Sequence, residues 1–110
     1  MKNLLLGFWL LVSCSAFAQT SEVTFWVDGV CGMCEKRIET ALLNTPGVRF
    51  ADWSTETHQV KVAFNSKRLT EQRLHEVVAS VGHDTKKLRA KDEDYAKVHE
   101  CCKYRELDAH

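Results

Sequence analysis

The sequence has little proline, no excess of charge of either sign, and no apolar run long enough to cross a membrane stably. Each shortage excludes something. Among 110 residues there is one proline, Pro46, and neither an internal repeat nor a low-complexity linker, so the length is that of one domain with a modest core. The 15 Lys and Arg balance 15 Asp and Glu. Both signs are interspersed along the chain, without the clustered basic face that a phosphate partner requires, so nucleic acid is excluded as a partner class. The longest apolar run, "LLLGFWLLV" from Leu4 to Val12, is too short for a stable span.

That run reads instead as the core of an export signal peptide, residues 1–18. Lys2 precedes it, and "SCSAFAQ" follows with small residues at Ala16 and Ala18, which fits cleavage after Ala18. "LVSC" from Leu11 to Cys14 also resembles a bacterial lipobox, in which Cys14 would carry lipid and tether the protein to a membrane. The expected location is the periplasm, with a lipoprotein anchored through Cys14 as the alternative.

Export changes what the remaining cysteines mean. Beyond Cys14 they form two pairs, Cys31/Cys34 and Cys101/Cys102. An oxidising compartment favours a disulfide framework. A bridge inside either pair would close a very short loop, however, and a disulfide gains most by closing a long one. Pairing across, 31 or 34 with 101 or 102, stays open.

The hydrophobic pattern gives an element order. Val23, Phe25 and Val27 alternate with Thr24, Trp26 and Asp28, predicting a first strand that Gly29 ends. From Cys34 the period becomes helical: Cys34, Ile38, Ala41 and Leu42 share a face, and "NTPG" at 44–47 stops the helix. Strands are predicted at about 48–54 and 59–64, joined by a hairpin through "STETH". Thr70 caps a second helix with Leu74, Val77, Val78 and Val81 on one face, Gly82 stops it, and a short fourth strand is expected near 84–88.

A β-α-β-β-α-β order has a compact α+β solution: a ferredoxin-like sandwich, with a four-stranded antiparallel sheet and two helices on one face. Cys31 then lies in the loop after the first strand and Cys34 in the first helical turn. Backbone N–H groups and the helix dipole favour thiolates there, suited to a soft metal or to redox exchange.

With those residues in view, "GVCGMCEKRIE", "PGV" at 46–48, "ADW" at 51–53 and "VAFN" before the second helix resemble the heavy-metal-associated domain, a family of copper chaperones, copper-ATPase domains and the periplasmic mercury-binding protein. The resemblance covers residues 22–88. It implies that Cys31 and Cys34 bind metal and that Ile38 is the apolar helix position behind them. Two departures stand out. The usual loop reads G-M-x-C-x-x-C, whereas here one residue fewer separates Gly29 from Cys31 and no Met precedes it. His83 replaces the aromatic that often follows the glycine after the second helix, and that loop lies beside the metal loop, making His83 a candidate additional ligand.

Residues 89–110 form a charged, Cys-containing extension beyond the resembling region, with Tyr95, Val98, Tyr104 and Leu107 as its few anchors. Adjacent cysteines do not readily form a relaxed disulfide with each other. Cys101 and Cys102 are therefore additional candidate metal ligands if they fold back over Cys31/Cys34, or else an independent pair. His58, His75 and His110 read as solvated residues.

The expectation is an exported, non-enzymatic metal-binding protein for metal transport or detoxification. Two exposed thiolates satisfy the low coordination demand of Cu(I), while Hg²⁺, Zn²⁺ and Cd²⁺ remain open. Its partner would be a metal-exchanging protein such as a metal-transporting ATPase or efflux component. The rival reading is a thiol-disulfide redox protein using the same CxxC. Against it, only about a dozen residues precede Cys31 once the expected signal peptide is removed, too few for the elements a thioredoxin places before its motif, and Pro46 sits in the turn after the first helix.

Overall fold

The computed structural model describes residues 20–107; the expected signal peptide with Cys14, and His110, lie outside the described residues. Strand β1 (Thr20–Trp26) leads through a cysteine-bearing loop into helix α1 (Gly32–Leu43). Strands β2 (Val48–Trp53) and β3 (Gln59–Asn65) follow, then helix α2 (Glu71–Ser80) and a one-turn helix α3 (Asp92–Tyr95). Two 3-10 turns, Glu100–Cys102 and Tyr104–Glu106, complete the described chain, none of whose helices is long and apolar enough to cross a membrane.

The sheet is antiparallel in the order β1-β3-β2, with Val23 opposite Val62 and Ala51 opposite the same Val62. Its alternating pattern puts Phe25, Ala51, Trp53, Val60, Val62 and Phe64 on the inner face, where they join Cys34, Ile38 and Leu42 of α1 and Leu74, Val77 and Val78 of α2 in one buried cluster. The apolar stripe expected on α1 is the buried one. Thr70 caps α2 by accepting a hydrogen bond from the Arg73 N–H at 3.2 Å. Gly82 ends the α2 segment with φ +98°, a left-handed conformation that suits glycine.

The expected fourth strand is not formed among the described residues. Residues 84–88 lie on the outer edge of β1, where that strand belongs, but contribute only an isolated antiparallel bridge, Val27 to Thr85. The Thr85 hydroxyl accepts from the N–H groups of Lys87 and Leu88 while the Thr85 N–H bonds the Leu88 carbonyl at 2.7 Å, drawing the chain into a turn. The structure is therefore a ferredoxin-like βαββα layer with a three-stranded sheet.

Two histidines expected at the surface are buried. His75 stacks on Phe25 at 3.9 Å between ring centroids and bonds Thr85 Oγ1 at 2.6 Å; burial pushes its pKa down, against the smaller opposing pull of Glu71. His58, at φ +58°, stacks on Trp53. Local periodicity marks both as polar positions, but the rings complete the core from the β1 end and the hairpin.

Candidate metal site

Cys31 is the N-cap residue of α1, in extended backbone conformation, and its carbonyl accepts the Glu35 N–H at 3.1 Å. Cys34 falls one turn later, fully buried, on the same stripe as Ile38 and Leu42. The loop between β1 and α1 is seated on Trp53. That indole donates from Nε1 to the Val27 carbonyl at 3.0 Å, and a Cβ at Gly29 would stand 3.0 Å from its ring and 3.2 Å from Cys34 Cβ. A side chain at Gly29 would therefore push the loop off its support. The sequence pattern marks Gly29 as a strand end and as the glycine of the metal loop, and Trp53 as part of a motif; their pairing is visible once β2 is laid beside the loop.

The tail folds back over this loop. Gly82 and Asp84 form its seat: a Cβ at Gly82 would meet Val98 Cγ2 at 2.5 Å, and the Tyr104 hydroxyl donates to the Gly82 carbonyl at 2.6 Å while accepting the Asp84 N–H at 2.9 Å. Burial pushes the Tyr104 phenol far above its usual range, so the hydroxyl keeps its proton for that bond. Arg105 reaches Asp84 Oδ1 at 2.7 Å and the Ala90 carbonyl at 2.6 Å, and lies over the Tyr95 ring. Burial pushes the Asp84 carboxyl up, but Arg105, the Ala90 N–H and Arg89 outweigh it and hold the group below its ordinary value. Of the expected anchors, Tyr104 and Val98 are buried and Leu107 is exposed.

This docking carries Cys101 and Cys102 to the CxxC loop. Cys102, fully buried, is joined to Cys34 in a disulfide with Cα atoms 5.8 Å apart. Cys31 and Cys101 are free thiols. The Cys31 sulfur lies 3.5 Å from Cys101 Sγ and 3.5 Å from Cys102 Sγ, and Cys101 Sγ is 4.0 Å from Cys102 Sγ. Met33, largely exposed between the loop cysteines, sets its thioether 3.4 Å from Cys101. Burial pushes the Cys31 thiol up, yet the N–H groups of Cys34 and Met33 and the Cys101 thiol outweigh it, leaving Cys31 below the ordinary thiol value. The exposed Cys101 thiol is displaced upward, first by its hydrogen bond with Cys31.

His83 stands apart from the cysteines. Its ring is fully buried, Nδ1 lies 2.8 Å from the Asp28 carbonyl and so donates, and the face packs on Tyr104. Nε2 has no hydrogen-bond partner. Burial lowers its pKa and keeps the ring neutral. Among the described residues two groups have ligand atoms all within 4.8 Å of one another, the thiols of Cys31, Cys101 and Cys102 and the carboxylates of Glu35, Glu39 and Asp52; neither His83 nor the disulfide-bonded Cys34 is in them.

A ferredoxin-like layer that presents cysteines at the N-terminus of its first helix defines a class of small domains built around a thiol-bearing loop. The family model described as "Heavy-metal-associated domain" matches residues 24–84, more than half of the chain, and the protein belongs to that family. It is similar to the copper chaperone CopZ of Staphylococcus saprophyticus, 36% identical over 64 residues, covering 57% of this chain and 94% of the relative. CopZ of Staphylococcus aureus is 32% identical over 59 residues, covering 53% of this chain and 87% of the relative. Among solved structures, a CopZ metallochaperone superposes with a TM-score of 0.57 at 30% identity, covering 59% of this chain and 98% of the other. Oxidised MerP from Ralstonia metallidurans CH34 does so with a TM-score of 0.57 at 30% identity, covering 60% and 93%.

Proposed function

We propose that the protein is an exported carrier of a soft metal ion, Cu(I) foremost, held by Cys31 and Cys34 and passed by ligand exchange to another soft-ligand protein such as a metal-transporting ATPase or efflux component. The observation that carries this reading is the pair of sulfurs one helical turn apart at the start of α1, on a loop braced by Trp53. Two thiolates meet the low coordination demand of Cu(I), and an exposed rim lets an incoming thiolate displace one ligand at a time. The curated relatives named copper chaperones support Cu(I) as the first cargo. The residue pattern at 1–18 supports action in the periplasm, free after cleavage or tethered through Cys14. Because Cys34 is bonded to Cys102, the carrier form is the reduced one.

That same disulfide favours a second reading, a thiol-disulfide redox protein in which Cys31, 3.5 Å from Cys102 Sγ, is the exchanging thiol. One set of assays separates the two. Reduced protein is expected to take about one Cu(I) from a chromophoric chelator through its CxxC pair. Cys31→Ser/Cys34→Ser should lose this while keeping its fold, and neither form should accelerate insulin reduction beyond a small-molecule thiol. Unchanged Cu(I) affinity in the double variant sinks the carrier; cysteine-dependent insulin turnover establishes the redox reading.

A further inference from the structure

Resting on the soft-metal reading, we propose that the tail supplies two ligands of one closed metal site: in the reduced protein Cys31, Cys34, Cys101 and Cys102 together hold a single divalent thiophilic ion of the Zn²⁺ or Cd²⁺ type. A disulfide staple needs one cysteine from each pair, and Cys34 with Cys102 already provides it. Stapling leaves Cys31 and Cys101 without a task, yet their sulfurs sit 3.5 Å apart and both approach Cys102. Spacing gives them one. Sulfurs bound at about 2.3 Å to a common ion stand about 3.8 Å apart in a tetrahedron and about 4.0 Å apart in a trigonal plane. The separations among Cys31, Cys101 and Cys102 are 3.5, 3.5 and 4.0 Å, within a small side-chain adjustment of a shared ion.

The tail is also positioned to keep them there. Tyr104 on Gly82 and Arg105 on Asp84 fix the chain immediately after Cys102, so the second thiol pair is held over the first by contacts independent of any S–S bond. Adjacent cysteines strain to bond each other but can both ligate one ion. Cys34 and Cys102 close the site from the protein side, while Cys101 forms its solvent rim. An external dithiol opens the site: it gives two electrons and two protons to the Cys34–Cys102 disulfide, making two thiols, and is itself oxidised to a disulfide. Each thiol that then binds the ion releases its proton to solvent. Four thiolates suit Zn²⁺ or Cd²⁺, whereas Cu(I) is satisfied by the CxxC pair alone, so the tail sets selectivity rather than the capacity to bind.

The test uses the full chain, reduced with a phosphine without oxygen, and Cd²⁺ as the probe, with cadmium-113 NMR and sulfur-to-cadmium charge-transfer absorbance counting the bound sulfurs. Four sulfurs are expected in the unaltered protein, three in Cys101→Ser, and two in Cys101→Ser/Cys102→Ser. The double variant should lose Cd²⁺ affinity by more than the roughly 10–100-fold typical of removing a mere outer-shell partner, and should keep its Cu(I) binding. Cys101→Ser alters an exposed side chain and leaves the fold unburdened. Two sulfurs in every protein would overturn the tail's role and leave the Cu(I) carrier standing, as would failure to bind Cd²⁺ with Cu(I) uptake intact. Loss of both metals from the unaltered protein would overturn the carrier as well.

Discussion

The βαββα layer and the tail that follows it are held by different physics. In the layer, strand alternation and two helical stripes converge on one apolar cluster, so stability is spread over many interchangeable contacts. The tail adds only Val98 and Cys102 to that cluster and is fixed by one covalent tie, the Cys34–Cys102 disulfide, and a handful of directional bonds: the Tyr104 hydroxyl on Gly82, Arg105 between Asp84 and Ala90, and Lys103 donating to the carbonyls of Tyr95 and Ala96. Spread-out burial makes the layer tolerant of single polar losses. Once the disulfide is reduced, point attachment makes the tail removable in discrete steps while the layer stays folded.

The largest expected effect breaks the comparison from the layer side. Trp53 is fully buried and braces the cysteine loop through Val27 and Gly29, so Trp53→Ala should cost about 3–5 kcal/mol of global stability and loosen the loop with it. Denaturant unfolding with a tail-located probe and a core-located probe would test this. Separate transitions for the two probes, with the core unmoved, would contradict it.

Tyr104→Phe sharpens the comparison from the other side. It keeps the ring against His83 and Tyr95 but leaves the Gly82 carbonyl and the Asp84 N–H without the hydroxyl they share. The expected cost is about 1–3 kcal/mol, confined to tail docking. Amide hydrogen exchange should rise across 89–107 while protection in β1 and β3 is kept; a uniform rise would show that tail and layer open together.

Acid should produce the smallest change. The Asp84 carboxyl is held below its ordinary value, with burial opposed and outweighed by Arg105, the Ala90 N–H and Arg89. A depressed folded-state pKa contributes stability that is fully present above the unfolded value, near 3.9, and is lost as pH falls through the folded one. Tail docking should therefore hold at neutral pH and weaken only below about pH 4. Proteolytic nicking of the tail against pH would follow it, and Asp84→Asn should abolish that acid-dependent step. A variant whose profile is unchanged would remove Asp84 from the latch.

Much of the layer was legible in local pattern. Cys34, Ile38 and Leu42 at helical spacing, the alternation of Val60, Val62 and Phe64, the Thr70 cap and the Gly82 stop are each set by neighbours a few residues away. The fourth strand failed for an equally local reason that periodicity does not register, the Thr85 hydroxyl turning the chain at Lys87 and Leu88. His75 and His58 were misjudged because imidazole is polar in any local count, while its burial depends on Phe25 and Trp53 lying across from it.

Local pattern alone set the order of the first five elements, the apolar face of each of their helices and the place of Cys31 and Cys34 at a helix start, because these follow from side-chain period and capping chemistry. It left the two cysteine pairs as alternatives. Their meeting is a product of packing, because Cys34 and Cys102 are separated by 68 positions and spacing along the chain carries no distance between them. That meeting depends on a glycine with no Cβ to obstruct Val98, a tyrosine hydroxyl that finds a carbonyl, and an arginine that finds a buried-edge aspartate. None of these has a period, and each acquires its meaning only when the tail is laid against the layer.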